Sequence, residues 1–171
     1  LFLSDFCTMI SKEEIFQIGS KKEFEKMALK VFRHQFDHNG VYQQFCNLLS
    51  KDKTNVKSLN EIPFLPIQFF KTHQVLSSSK PIQQTFTSSG TTGMTTSQHL
   101  VTDTSWYEES YQKAFAQFYG AIEDYAVLAL LPSYLEREGS SLIYMVNDLM
   151  ERSNHPESGF YLNNYEEFAA K

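Results

Sequence analysis

Long apolar runs, basic clusters and cysteine are all scarce in this 171-residue chain. No window approaches the roughly 20 apolar residues of a membrane-spanning helix, so no membrane span is expected. The longest basic run is the pair Lys21-Lys22 and the formal net charge is -5, which leaves the chain without the electrostatic footprint of a nucleic-acid-binding protein. Cys7 and Cys46, the two cysteines, sit in unrelated settings and make neither a disulfide framework nor a metal-ligand spacing. A reducing, cytoplasmic setting is the expectation from that usage. The opening LFLSDFCTMI is apolar but short, carries Asp5, and lacks the basic leader and small-residue cleavage site of a secretory signal. Glycine is sparse too, yet two of the seven, Gly90 and Gly93, fall within one short stretch.

What is present suits a folded chain. With 42% hydrophobic and 20% charged residues the composition is too apolar for disorder. A chain of this size buries roughly two thirds of its unfolded surface, enough for a core without disulfides or metal. A single domain over residues 1–171 is expected, helical over 1–50 and α/β over 51–171, with no internal repeat. The chain begins at Leu1 and stops at Lys171 within the helix-like EEFAAK, and is expected to be the N-terminal segment of something longer.

Ser20 and Glu23 have capping-box spacing, and Phe24, Met27, Ala28, Val31 and Phe32 recur at the three- and four-residue steps of one helical face. Asn39-Gly40 ends that helix. Ser11 and Glu14 repeat the box for a shorter helix before it, and Val41, Phe45, Leu48 and Leu49 mark another after it. In EIPFLPIQFFKTHQVLSS, Pro63 and Pro66 forbid a regular helix across their positions, and the spacing predicts an extended, buried connector.

Ile82 to Phe86 and Gln98 to Thr102 read as short strands. Asp103 then caps a helix to Gly120 with Trp106, Tyr111, Ala114, Phe115 and Phe118 inward. The continuous apolar run Tyr125 to Leu131, ended by Pro132, carries the pattern of a strand buried on both faces. Ser140 or Ser141 begins a helix through Ile143, Met145, Val146, Leu149 and Met150, and Phe160 to Leu162 forms a strand before Asn164 caps a last helix. Strands alternating with helices predict an α/β fold: a helical N-terminal third, then part of a mainly parallel sheet flanked by helices.

Between the first two strands lies TFTSSGTTGMTTSQHL, residues 85 to 100, with nine hydroxyl side chains around two glycines. A phosphate needs several donors converging on a small volume. Backbone N–H groups aimed inward by a glycine-permitted turn supply some of them, and nearby hydroxyls supply the rest. Thr87, Ser88, Ser89, Gly90, Thr91, Thr92 and Gly93 are the candidates for that role. Only two residues separate the glycines and no lysine follows, so this is neither the Walker pattern nor GxGxxG. A polar hairpin turn, with threonines favoured by the flanking strands, is the competing account of the same residues.

The order Ser88-Ser89-Gly90-Thr91-Thr92-Gly93 resembles the signature loop of the adenylate-forming acyl-CoA synthetases and ligases, which closes on Pro-Lys where this chain has Thr95 and Thr96. Taken with EIPFLPIQFFKTH (61 to 73) and LALLPSYLEREGSSLIYMVNDLM (128 to 150), the chain is similar to the acyl-protein synthetase (LuxE) family over roughly residues 55 to 150. That resemblance implies ATP-dependent activation of a fatty or other carboxylic acid to an acyl adenylate, with Mg2+, followed by transfer to a protein thiol, for which an acyl reductase is the candidate partner. It implies that the loop holds the departing phosphates, leaving the catalytic residues themselves unassigned. It also implies an adenine motif, a lysine and an acyl-accepting cysteine beyond Lys171, without which this polypeptide alone is expected to be inactive. Two alternatives stay open: a coenzyme A ligase of the phenylacetate-ligase type, and a non-catalytic α/β interaction module with an empty loop.

Other residues invite chemistry with less support. His34, Asp37 and His38 have the spacing of metal ligands on a helix, but no third cluster accompanies them, and a solvated helix end is the preferred reading. Pro132 to Leu135 match the family segment near the acyl pocket without its histidine, and Tyr134 and Arg137 stay outside the catalytic set. His73 and His99 neighbour the loop in sequence only. Cys46, after Phe45 on an apolar helix face, reads as a buried structural thiol.

Overall fold

Ser11 opens the first helix by accepting from the Glu14 amide while the Glu14 carboxylate accepts from the Ser11 amide, the reciprocal box that its spacing predicts. This arrangement comes from a computed structural model, which describes residues 10–88, 96–131, 139–162 and 164–170. Helix α1 runs over Lys12–Phe16, α2 over Lys21–His38 and α3 over Gly40–Leu48. Ser20 caps α2 through the Glu23 amide, and the Glu23 carboxylate reaches past it to the Gly19 amide. Asn39 ends α2 and starts α3 in one residue: its amide donates to the Gln35 carbonyl and its side-chain oxygen accepts from the Tyr42 amide.

Contacts divide the chain into two compact units, Leu1–Phe69 with His73–Ser79, and Phe70–Thr72 with Lys80–Lys171. The first unit is built around Phe32, Phe36, Tyr42, Cys46 and Val56, with Leu29, Phe45, Ile62 and Leu65 packed against them. Two expectations about its helix faces are corrected. Phe24 is 51% exposed, while Phe36, a full turn beyond Phe32, is buried. In α3 the buried positions are Tyr42 and Cys46, whereas Leu48 is 84% exposed and Leu49 half exposed. The core-facing stripe of α3 therefore runs through Tyr42, Phe45 and Cys46, with Val41 half-buried at its margin, and leaves Leu48 and Leu49 toward solvent.

After α3 a turn is held by Asp52, whose carboxylate accepts from the amides of Thr54 and Asn55. A single 3-10 turn follows at Leu59–Glu61, and α4, Phe69–Thr72, comes after the two prolines. The connector is thus half buried rather than buried, since Ile62 and Leu65 join the core while Phe64 and Ile67 face solvent.

In the second unit β1, Gln84–Thr87, pairs antiparallel with β2, Gln98–Val101, in the register Gln84 to Val101 through Thr87 to Gln98. Helix α5, Ser105–Tyr119, follows, with the Asp103 carboxylate accepting from the Ser105 amide at 3.1 Å. Its buried residue is Tyr111; Ala114 is exposed and Phe118 is 76% exposed, against the expected inward face. Strand β3 is only Leu128–Ala129, paired parallel with β4, Gly159–Phe160. The apolar run around β3 is a correction as well: Ala129 is buried, but Tyr125, Ala126 and Leu130 are exposed. Helix α6, Ser141–Ser153, is capped by Ser140 and buries Ile143 and Leu149, and α7, Tyr165–Ala169, follows Asn164. The protein is a mixed helix and strand structure whose described sheets are two small pairs, one antiparallel and one parallel.

Candidate functional site

Alternation along β1 sends Phe86 to one face and Thr85 and Thr87 to the other. Phe86 is buried, with its ring 5.3 Å from that of Tyr107 on α5 and 5.5 Å from that of Tyr144 on α6, both edge to face. The Tyr107 hydroxyl donates to the Ser141 carbonyl at 3.0 Å, and the Tyr144 hydroxyl donates to the Glu108 carboxylate at 2.6 Å. The strand that leads into the hydroxyl-rich loop is therefore seated on two helices that are themselves tied together.

At the edge of β1 away from β2 the Thr87 amide donates to the Gly139 carbonyl at 2.8 Å. Gly139 has a φ of 80°, and a Cβ placed on it would lie 2.8 Å from the Thr87 hydroxyl oxygen and 3.6 Å from the Thr85 carbonyl oxygen. Only a residue without a side chain fits there unstrained. One residue on, the Ser88 amide donates to the Ser97 carbonyl at 3.1 Å and the Ser97 amide donates to the Ser88 hydroxyl oxygen at 3.0 Å. Ser88 and Ser97 thereby extend the hairpin past Thr87 and Gln98 and close the base of the loop.

Of the seven candidate phosphate ligands, Thr87 and Ser88 are thus placed at the mouth of the loop; Ser89, Gly90, Thr91, Thr92 and Gly93 lie outside the described residues. So do Pro132, Tyr134, Leu135 and Arg137. The amides of Thr87 and Ser88 are both committed to carbonyls, which removes them as anion donors. The Ser88 hydroxyl accepts from the Ser97 amide, and among the described residues no acceptor takes its own proton. Gly139 and Ser97 were not singled out in the sequence. A lone glycine just before the N-cap serine of an amphipathic helix was the available signal for Gly139.

The remaining candidates sit elsewhere. His99 lies on β2 opposite Phe86, with its ring 6.1 Å from that of Phe70, and His73 ends α4 with its ring stacked on Phe69 at 5.0 Å. The rings of His34 and His38 stack at 4.4 Å, His38 Nδ1 is 2.8 Å from the His34 carbonyl oxygen, and Asp37 pairs with Lys53. Burial, and then the His38 charge, hold the His34 imidazole below its ordinary value. Among the described residues no group of three or more His, Cys, Asp or Glu side chains is arranged to hold a metal ion, and no helix is long and apolar enough to cross a membrane.

The sequence profile of the acyl-protein synthetase (LuxE) family matches residues 9–106, which include β1, β2 and the loop between them. The chain belongs to the LuxE family. Within it, a long-chain-fatty-acid–luciferin-component ligase from Photorhabdus luminescens is 35% identical over 71 residues, a stretch that covers 41% of this chain and 60% of that relative's length. No solved structure matches the chain. The hairpin, its closed base and the Phe86 seat are thus features of a LuxE-family chain.

Proposed function

We propose that this chain carries the phosphate-binding part of an acyl-protein synthetase that uses ATP and Mg2+ to activate a fatty acid and passes the acyl group to a protein thiol. LuxE membership supports the reading, as does the similarity to the Photorhabdus long-chain-fatty-acid–luciferin-component ligase. The observation that carries it is the closed base of the hairpin. Because the Thr87 and Ser88 amides are spent on Gly139 and Ser97, the phosphates are met by the Ser88 hydroxyl and by donors from Ser89 onward: Gly90, Thr91, Thr92 and Gly93. That division of labour fits a cradle of hydroxyls and glycine amides on a rigid stem. Thr87 then serves the cradle from its rim.

In the first step a carboxylate oxygen attacks the inner phosphorus of ATP, the bond to the bridging oxygen breaks, and pyrophosphate leaves. In the second a thiolate attacks the acyl carbon and adenosine monophosphate leaves. The chain's own part is to hold the outer phosphates while negative charge moves onto the departing oxygen. Bound magnesium would supply further charge neutralisation; none of the described side chains forms a cluster that would hold it without the nucleotide.

Pyrophosphate exchange into ATP, driven by carboxylic acids of graded chain length, tests the proposal on the protein carrying this chain. Long-chain acids should support exchange, and Thr92→Val should weaken ATP by roughly 10- to 100-fold, the worth of one hydrogen bond to a charged oxygen. Absence of exchange with every acid sinks the ligase reading. Exchange followed by acyl transfer to coenzyme A rather than to a protein thiol moves the protein to the coenzyme A ligases instead.

A further inference from the structure

We propose that Gly139 is a positioning residue for the nucleotide loop, acting through Thr87. The inference rests on the ligase reading above and adds to it a residue from a separate segment of the chain. Three observations meet at this point. The Gly139 carbonyl takes the Thr87 amide at 2.8 Å. Its Cα approaches so closely that a Cβ would sit 2.8 Å from the Thr87 hydroxyl oxygen, nearer than real Cβ contacts come. Its neighbour Ser140 caps α6, and the Ser141 carbonyl accepts from the Tyr107 hydroxyl, so Gly139 is anchored on its C-terminal side.

The consequence is directional. Phe86 holds one face of β1 through Tyr107 and Tyr144, and Gly139 holds its edge through the Thr87 amide. The next residue, Ser88, then enters the loop at a set position, with its hydroxyl held by Ser97. A methyl at 139 pushes against Thr87, displaces the end of β1, and carries with it the Ser88 hydroxyl that is offered to the phosphates. Misalignment on this scale is felt in nucleotide binding more than in acid binding.

A double-mutant cycle in the protein carrying this chain tests the idea, with the ATP dependence of pyrophosphate exchange as the readout. Gly139→Ala should raise the KM for ATP roughly tenfold or more, as for a lost hydrogen bond to a charged oxygen, and leave the KM for the acid unchanged. Combining it with Thr87→Ser, whose hydroxyl can rotate away from the new methyl, should recover much of that rise, a departure from additivity that marks direct contact. Gly120→Ala is the control. It carries a positive φ of 90° with nothing within 4 Å, so it adds backbone strain without touching the strand and should leave the KM for ATP alone.

Gly139→Asn separates contact from strain, since asparagine tolerates positive φ better than alanine yet brings the same Cβ. It should raise the KM for ATP as Gly139→Ala does, and it serves if the alanine variant does not fold. Hydrogen exchange without nucleotide gives a readout independent of turnover: the Thr87 amide should exchange faster in either variant. An unshifted KM for ATP in Gly139→Ala and Gly139→Asn, with exchange otherwise robust, overturns this proposal alone. So does an equal rise in Gly120→Ala. No pyrophosphate exchange in the unaltered protein overturns the ligase reading and takes this proposal with it.

Discussion

The Tyr42 hydroxyl donates to the Pro63 carbonyl at 2.6 Å and so ties α3 to the Ile-Pro-Phe-Leu-Pro segment that follows it. Burial raises the Tyr42 hydroxyl's pKa well above the ordinary tyrosine value, so the group stays protonated and a donor at every physiological pH. Pro63 precedes Phe64, which is exposed, and follows Ile62, which is packed on the core; the bond from Tyr42 helps to hold that in-and-out order.

Removing that donor should cost stability without opening a cavity. Tyr42→Phe keeps the ring against Phe32 and should destabilise the first unit by about 1 kcal/mol, with somewhat more if the Pro63 carbonyl finds no water. Urea unfolding followed by tyrosine fluorescence or amide exchange within α3 measures it; an unchanged midpoint would show that the bond contributes nothing net.

Cys46 is a structural thiol rather than an acyl carrier. It is 0% exposed, and burial pushes its pKa up, with the nearby Tyr42 hydroxyl opposing only in part. In a Cys7→Ser background the folded protein should resist a thiol-labelling reagent at pH 8 and react on addition of denaturant. Fast labelling of the native protein contradicts the assignment.

Two tyrosines on adjoining helices should respond differently to loss of their hydroxyls. Tyr144 donates to the Glu108 carboxylate at 2.6 Å, so Tyr144→Phe should cost about 1.5 to 3 kcal/mol, at the lower end because the pair is only part-buried. The Tyr111 hydroxyl is buried beside the Asp148 carboxylate with no hydrogen-bond partner of regular geometry among the described residues, so Tyr111→Phe should be close to neutral. Thermal unfolding of the two variants side by side decides the order, and the reverse order would refute it.

Acidification should weaken the first unit through groups of both kinds. The His34 imidazole sits below its ordinary value, so the unfolded chain binds its proton first, and stability is lost as pH falls through about 6.5. The Glu14 carboxyl is lowered chiefly by the Lys30 ammonium at 2.7 Å, and then by the Ser11 amide. Its contribution is present above the ordinary carboxylate value and is lost as pH falls through the lower, folded one. The sign is the same for both. The thermal midpoint should therefore fall first as pH drops below about 6.5 and again as it drops below about 4.5. His34→Gln should remove the first decline and Glu14→Gln should reduce the second.

Local grammar was readable from residue order because its causes are local. Ser11 with Glu14, and Ser140 before α6, cap helices through atoms three residues apart. The places of β1 and β2 were nearly readable as well, Ile82 to Phe86 and Gln98 to Thr102 being expected where Gln84–Thr87 and Gln98–Val101 form. The helical faces were less so. Leu48, Phe24 and Phe118 satisfy a helical period and still face solvent, because periodicity states which residues share a face and says nothing of whether a neighbour covers it.

Residue order alone determined the chemistry on offer: a glycine-punctuated run of hydroxyls after a strand, a chain with no basic surface run, and motifs that identify a LuxE-family protein. Only the tertiary structure decided how that run is mounted. It joined Thr87 to Gly139, 52 positions apart in the sequence, spent the amides of Thr87 and Ser88 on carbonyls, and set Phe86 between two helices. The reason is physical. A donor's availability depends on what already accepts from it, and for a backbone amide that partner is chosen by packing between segments that no local pattern links.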